Sequence, residues 1–160
     1  MTRRLLAALM FAATLGSGSA FAQVPQYGSN VNQDQAHKAV AAALAEAKKQ
    51  GLPMAVAVVD TAGQLVAFER MDNTQTASVA VAQDKAVSAA MYRRPTKVFQ
   101  DALAGGGAGL RILTLRGANA VEGGLPMVVD GKIIGGLGVS GGTAEQDGSV
   151  AKAGTDGLAK

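Results

Sequence analysis

Apolar and polar positions recur along this chain with two different periods, and the switches between them mark its elements. After Asn32 the stretch QDQAHKAVAAALAEAKKQG places Ala36, Val40, Ala43, Leu44 and Ala47 on one face of a 3.6-residue period, which predicts an amphipathic helix. Asn32 and Gln35 stand at capping-box spacing, Lys48 and Lys49 suit the negative end of the helix dipole, and Gly51 suits the stop. The core face of this helix is mostly alanine, so it should pack close to whatever lies beneath it. In PMAVAVVD the run Met54 to Val59 is continuously apolar, as in a strand buried on both faces. Asp60 to Gly63 supplies turn chemistry and QLVAFERM the returning strand, so residues 53–71 read as a β-hairpin.

From Thr76 the composition is helical again, with Ala80, Gln83, Ala86 or Val87, and Ala90 or Met91 giving the spacing. Pro95 interrupts this helix and suits the start of another, PTKVFQDALAG. GGGAG at 105–109 is a flexible break, and LRILTLRG fits either a short strand or an irregular loop. Two apolar runs then flank Asp130-Gly131, the dipeptide of a tight hairpin. Thr143, with Gln146 three residues later, opens a short C-terminal helix. The order helix, hairpin, helices, hairpin, helix predicts an α/β domain with a largely antiparallel sheet and helices packed against it.

The second hairpin runs into Gly136-Leu-Gly138-Val-Ser-Gly141, which spells the dinucleotide-binding pattern G-x-G-x-x-G. That pattern works only between the first strand of a βαβ unit and its helix, with an acid on the next parallel strand. Asp156 stands twenty residues after Gly136, but the preceding strand is the returning arm of a hairpin, and only four residues follow Asp156. The glycines are better read locally: Gly135, Gly136 and Gly138 permit close approach of a helix, backbone or ligand. Gly141 and Gly142 lead into a helix N-terminus, where a turn is the simpler reading and an anion site the alternative.

Composition changes the picture at the N-terminus. MTRRLLAALMFAATLGSGSAFAQ has a charged start, an apolar stretch from Leu5 to Leu15 and a small-x-small site at Ala20-Phe-Ala22, the pattern of a signal peptide over residues 1–22. Cleavage near Ala22-Gln23 implies a periplasmic or secreted protein; Arg3-Arg4 leaves general and twin-arginine export both open. Residues 23–31 read as a linker, and 32–160 as one domain. The apolar stretch is too short for a transmembrane segment. Removing residues 1–22 takes away two arginines and no acid, so the formal charge falls from +3 to +1. Neither a nucleic acid nor an anionic membrane is then expected as a partner. The absence of cysteine excludes disulfides, thiolate metal sites and cysteine nucleophiles.

GGLPMVVDGKIIGGLGVSGGTAEQD, with AVAVVDTAGQLVAFERMD, AQDKAVSAA and RRPTKVF, resembles the GlcG/HbpS-like haem-binding family, which includes the C-terminal domain of PduO-type proteins. The resemblance runs from about Asn32 to Leu158. It implies a three-layer α-β-α domain with a mainly antiparallel five-stranded sheet. It also implies homo-oligomers, often octamers, and weak, exposed haem binding in secreted members. A secreted haem-binding protein that stores, senses or transfers haem is the function this implies. The alternatives are an enzyme acting on haem or a small metabolite, and a non-catalytic partner of a sensor or metabolic complex.

Haem iron is commonly held by histidine, tyrosine, methionine or a thiolate. His37 is the sole histidine, at the flank of the first helix's apolar stripe, and is the candidate metal ligand. Tyr92 is a second candidate for ferric haem, and Arg93 and Arg94 beside it are candidates for pairing with propionates. Asp60 reads as a turn former, and Arg70 and Asp72 fall in the family's R-M-D segment. Lys85 follows Asp84 in the A-Q-D-K-A segment, which also matches the family; a lysine on an alanine-rich helix can be buried and paired, but is more often a surface residue. Ser140 satisfies G-x-S-x-G, but the hydrolase fold around such a serine needs a parallel sheet and a later histidine.

Overall fold

The computed structural model describes residues 24–159, so the signal-peptide reading of residues 1–22 lies outside it. Helix α1 (Gln33–Lys49) leads to strands β1 (Ala55–Asp60) and β2 (Leu65–Arg70). Helices α2 (Ser78–Tyr92) and α3 (Thr96–Ala104) follow, then a 3-10 segment over Gly107–Thr114. Strands β3 (Gly124–Val129) and β4 (Lys132–Ser140) form the second hairpin, and α4 (Ala144–Asp156) follows it. The stretch 110–117, left open between strand and loop, is 3-10 helix as far as Thr114 and a turn beyond it. Both expected capping boxes form: Asn32 with Gln35 opens α1, and Thr143 with Gln146 opens α4. Asp130 and Gly131 both take positive φ, the backbone of a tight hairpin turn. Asp60 Oδ1 accepts the amides of Ala62 at 2.8 Å and Gln64 at 2.9 Å, the turn-forming role expected of it.

The four strands pair antiparallel in the order β2-β1-β4-β3. The expected fifth strand is reduced to a single bridge. Residues 24–31, read as a linker, instead lie along β4 past the end of β1: Gly28 N–H donates to Ile133 O at 2.8 Å and Val31 N–H to Ile134 O at 2.7 Å. The Tyr27 hydroxyl fastens this strap to α2, donating to the carbonyls of Ala90 and Met91 at 3.0 Å. A polar, proline-bearing segment can pack this way because β4 outruns β1 and leaves backbone groups to satisfy.

Helices cover both faces of the sheet. On one face α1 and α4 bury Ala39, Ala43, Leu44, Val150 and Ala151 against Val56, Val58, Leu137 and Val139. On the other, α2 sets Ala82, Ala86 and Ala90 on Ala55, Ala57 and Val59. β1 is buried on both faces because alternate residues serve the two layers. The expected face of α2 is corrected here: Ala80 is exposed, Gln83 is half-buried, and Ser78, Ala82, Lys85, Ala86, Ala89 and Ala90 turn inward.

The glycines of β4 belong to this second face. A Cβ at Gly136 would fall onto the Ala86 carbonyl, and one at Gly138 onto the Ala82 carbonyl. The helix thus rests on bare strand backbone, and the G-x-G-x-x-G string is a packing device. The Gly138→Ala substitution should destabilise the fold by about 3 kcal/mol, because α2 must lift from the sheet. Gly105→Ala, at an αR position with no atom nearer than 3.5 Å, is the control and should stay within about 0.5 kcal/mol. Urea midpoints at unchanged slope test the pair; equal midpoints would contradict the seating.

Candidate functional site

The four residues singled out by sequence do not converge. His37 is exposed on α1, in the layer that packs with α4, and makes no side-chain hydrogen bond among the described residues. Tyr92, Arg93 and Arg94 lie at the end of α2, on the opposite face of the sheet. Tyr92 donates its hydroxyl to Arg116 O at 2.7 Å and sets its ring edge-on to Phe99. Arg94 lies over the Phe99 ring and donates Nε–H to Tyr92 O at 3.1 Å. Arg93 ends α2 in the left-handed region, at φ 54° and ψ 38°. Its guanidinium lies 5.5 Å from the Tyr27 ring centroid. Glu69, Arg70 and Asp72 are exposed at the far edge of the sheet. No group of three or more His, Asp or Glu side chains able to hold a metal ion occurs among the described residues. None of the described helices is long and apolar enough to cross a membrane.

Arg93 does open onto a cavity. A groove of about 600 Å³ runs along the outer edge of β3, between the start of α3 and the flank of α4. Pro25, Pro95, Leu125, Pro126, Val128 and Ile133 give it an apolar lining, and Arg93, Lys97, Glu122, Lys152 and Asp156 contribute its charges. The local sequence builds this edge. Gly124 N–H donates to Thr96 Oγ1 at 2.9 Å, so the start of α3 closes one end of the strand. Pro126 brings no N–H, which suits an edge strand. The groove therefore presents apolar surface where an open sheet edge would present donors.

Beneath the groove floor lies a buried ion pair, whose lysine the sequence offered as buried only in its less favoured reading and whose acid it did not name. Lys85, expected at the surface, is 1% exposed. Its ammonium donates to Asp147 Oδ2 at 2.7 Å and to Val139 O at 3.1 Å. Asp147 Oδ1 in turn accepts Gly142 N–H at 2.9 Å. The anion site considered at the start of α4 is thus filled by the helix's own carboxylate. Burial pushes the Asp147 carboxyl above the ordinary aspartate range, while the Lys85 ammonium and the Gly142 amide pull it back. Gly123 covers the pair: a Cβ there would stand 2.9 Å from Lys85 Nζ and 2.8 Å from Asp147 Cβ. Ser140, the elbow candidate, is buried and donates its hydroxyl to Ser78 Oγ at 3.0 Å, which gives it no nucleophile geometry. The one sequence cue for the ion pair was its companionship: Lys85 lies within the A-Q-D-K-A segment, and Asp147 ends the G-G-T-A-E-Q-D string.

The domain is thus a layered α/β fold with helices on both sheet faces, an internal ion pair and an apolar groove at the sheet edge. The chain belongs to the HbpS-like family, described as haem degrading protein HbpS-like, whose model matches residues 31–156. Protein GlcG of Escherichia coli K12 is 40% identical over 110 residues, covering 69% of this chain and 81% of that protein. The crystal structure of a PduOC–haem complex superposes with a TM-score of 0.72 at 28% identity, covering 80% of this chain and 94% of that one. A double mutant of HbpS from Streptomyces reticuli superposes with a TM-score of 0.74 at 29% identity, covering 94% and 97%.

Lys85→Met should cost about 3–5 kcal/mol, because it strands a buried carboxylate. Lys85→Met combined with Asp147→Leu should recover much of that loss, since no unpaired charge remains. A denaturant double-mutant cycle checks both. A single-variant loss below about 1 kcal/mol would contradict a formed internal pair.

Proposed function

We propose that this chain is an exported haem-binding protein that stores, senses or passes on haem, with His37 as the iron ligand. The observation that carries the reading is the family's: a relative with the same fold was crystallised with haem. The donor set of this chain then points to His37. It is the sole imidazole of the sequence. It is exposed, and no side-chain hydrogen bond holds it among the described residues. Tyr92 is a poorer donor, because its hydroxyl is committed to Arg116 O. When bound, the porphyrin iron would supply the redox and ligand-exchange chemistry; the protein's part is to orient one nitrogen and cover the ring.

One copy covers the ring poorly. On α1 the helical neighbours of His37 at the surface are Gln33, Asp34 and Ala41, which offer little apolar area. That supports binding at an exposed or intersubunit position, with affinity on the order of micromolar. Exposed Val98, Leu110, Leu113 and Leu115 around α3 and the 3-10 segment support assembly into a homo-oligomer. Export rests on the signal-peptide pattern of residues 1–22. Arg93 and Arg94 lie across the sheet from His37, so in this reading they pair with propionates only if another copy brings them to the same haem.

Haemin titration of untagged protein should give a saturable Soret change at one haem per chain, and His37→Ala should abolish it. An unchanged spectrum in that variant would remove His37 as ligand. The family's description favours a second reading, breakdown of haem. With dioxygen and an external reductant, that activity would bleach the Soret band and release iron and an open tetrapyrrole. A stable spectrum under those conditions leaves binding alone.

A further inference from the structure

We infer that the groove along β3 is a second, independent site, for an apolar molecule carrying a single carboxylate, and that Arg93 is its anchor. The first support is shape and lining. About 600 Å³ is the volume of a site for a small organic ligand, and prolines 25, 95 and 126 with Leu125 and Val128 make it an apolar trough.

The second support is the charge balance at its rim. Five charged side chains line the groove, and four of them are already matched. Lys152 pairs with Asp156 at 2.6 Å, and Lys97 stands 3.8 Å from Glu122 while also pairing with Asp101 at 2.8 Å. Arg93 alone among these five has no acid within salt-bridge distance among the described residues. Its recorded hydrogen bonds are two long ones from a single terminal nitrogen, to Pro25 O and Gln26 Oε1, both at 3.5 Å. The remaining guanidinium donors are left for a ligand, and the Tyr27 ring centroid lies 5.5 Å from the guanidinium. One unmatched cation above an apolar trough is complementary to a monoanionic amphiphile.

The third support is backbone placement. Arg93 is a non-glycine residue held at φ 54°, a conformation that costs free energy and persists where the surroundings impose it. Here the left-handed turn stops α2, lets Pro95 open α3, and directs the arginine to the groove instead of along the helix. The Lys85–Asp147 pair is sealed behind Gly123 and contributes no charge to the surface, so the unmatched cation of the groove is Arg93.

Decanoate and decanol, an anion and its neutral counterpart, test this by amide NMR of the full protein. Decanoate should move the Gly124, Leu125 and Gly148 amides saturably and in fast exchange. Arg93→Gln should weaken decanoate about tenfold and leave decanol about unchanged, with Arg93→Lys restoring part of the loss. The amide spectrum of each variant away from the groove reports that it is folded. His37→Ala should leave the decanoate titration unaltered, because His37 is not among the residues that line the groove. Shifts centred elsewhere, no saturable shift, equal decanoate affinity in Arg93→Gln, or sensitivity to His37→Ala would each overturn the site.

Discussion

The seating of α2 directly on the backbone of β4 is the constraint from which the rest of this molecule follows. Gly136 and Gly138 carry no Cβ, and Ala82, Ala86 and Ala90 occupy the space that one would fill. Helix and sheet therefore approach more closely than branched side chains allow. At that depth Lys85 cannot reach water. It is 1% exposed and must find its partner inside, which it does in Asp147 at the start of α4 and in the Val139 carbonyl of β4. One side chain thereby ties α2, the central sheet and α4 together across both layers. Breaking such a pair leaves an uncompensated buried charge, so the fold retains it as a latch. Arg93 leaves α2 in a left-handed turn beside the groove, under the strap of residues 24–31.

Much of the architecture was legible because its signals are local. Asn32 with Gln35 and Thr143 with Gln146 each satisfy backbone donors reciprocally, and both boxes form as spaced. Asp130-Gly131 takes the positive φ values that its hairpin demands, and Pro95 stands at the start of α3. The glycines of β4 were open to a packing reading before any fold was known, because the dinucleotide pattern lacked its βαβ surroundings.

What remained hidden has a physical reason in each case. Along α2 nearly every candidate core position is alanine, so periodicity carries little contrast: Ala80 is exposed and Ala82 fully buried, yet they are the same letter. Without that phase the inward turn of Lys85 stayed the less favoured of two readings, and its partner lies 62 residues away. Residues 24–31 look like a linker by composition. They pack because β4 outruns β1 and leaves backbone donors and acceptors for Gln26, Gly28 and Val31. The stretch around Gly107–Thr114 presents Leu110 and Leu113 outward and buries Ile112, so its apolar letters suggested a strand or loop where a 3-10 helix forms.

The site residues illustrate the same divide. His37 and Arg93 were gathered into one site by chemistry, since an imidazole suits iron and a guanidinium suits carboxylates. The fold sets them in different layers, so one chain has an exposed imidazole on α1 and a separate groove whose cation is Arg93. Haem ligation at His37 has an unusually clean test, because the sequence contains a single histidine. Resonance Raman spectra of untagged, haem-loaded protein, prepared with natural and with 15N-labelled histidine, would show whether the iron meets that ring. An isotope shift of the iron–nitrogen mode is the predicted result; superimposable spectra would place the iron on another donor.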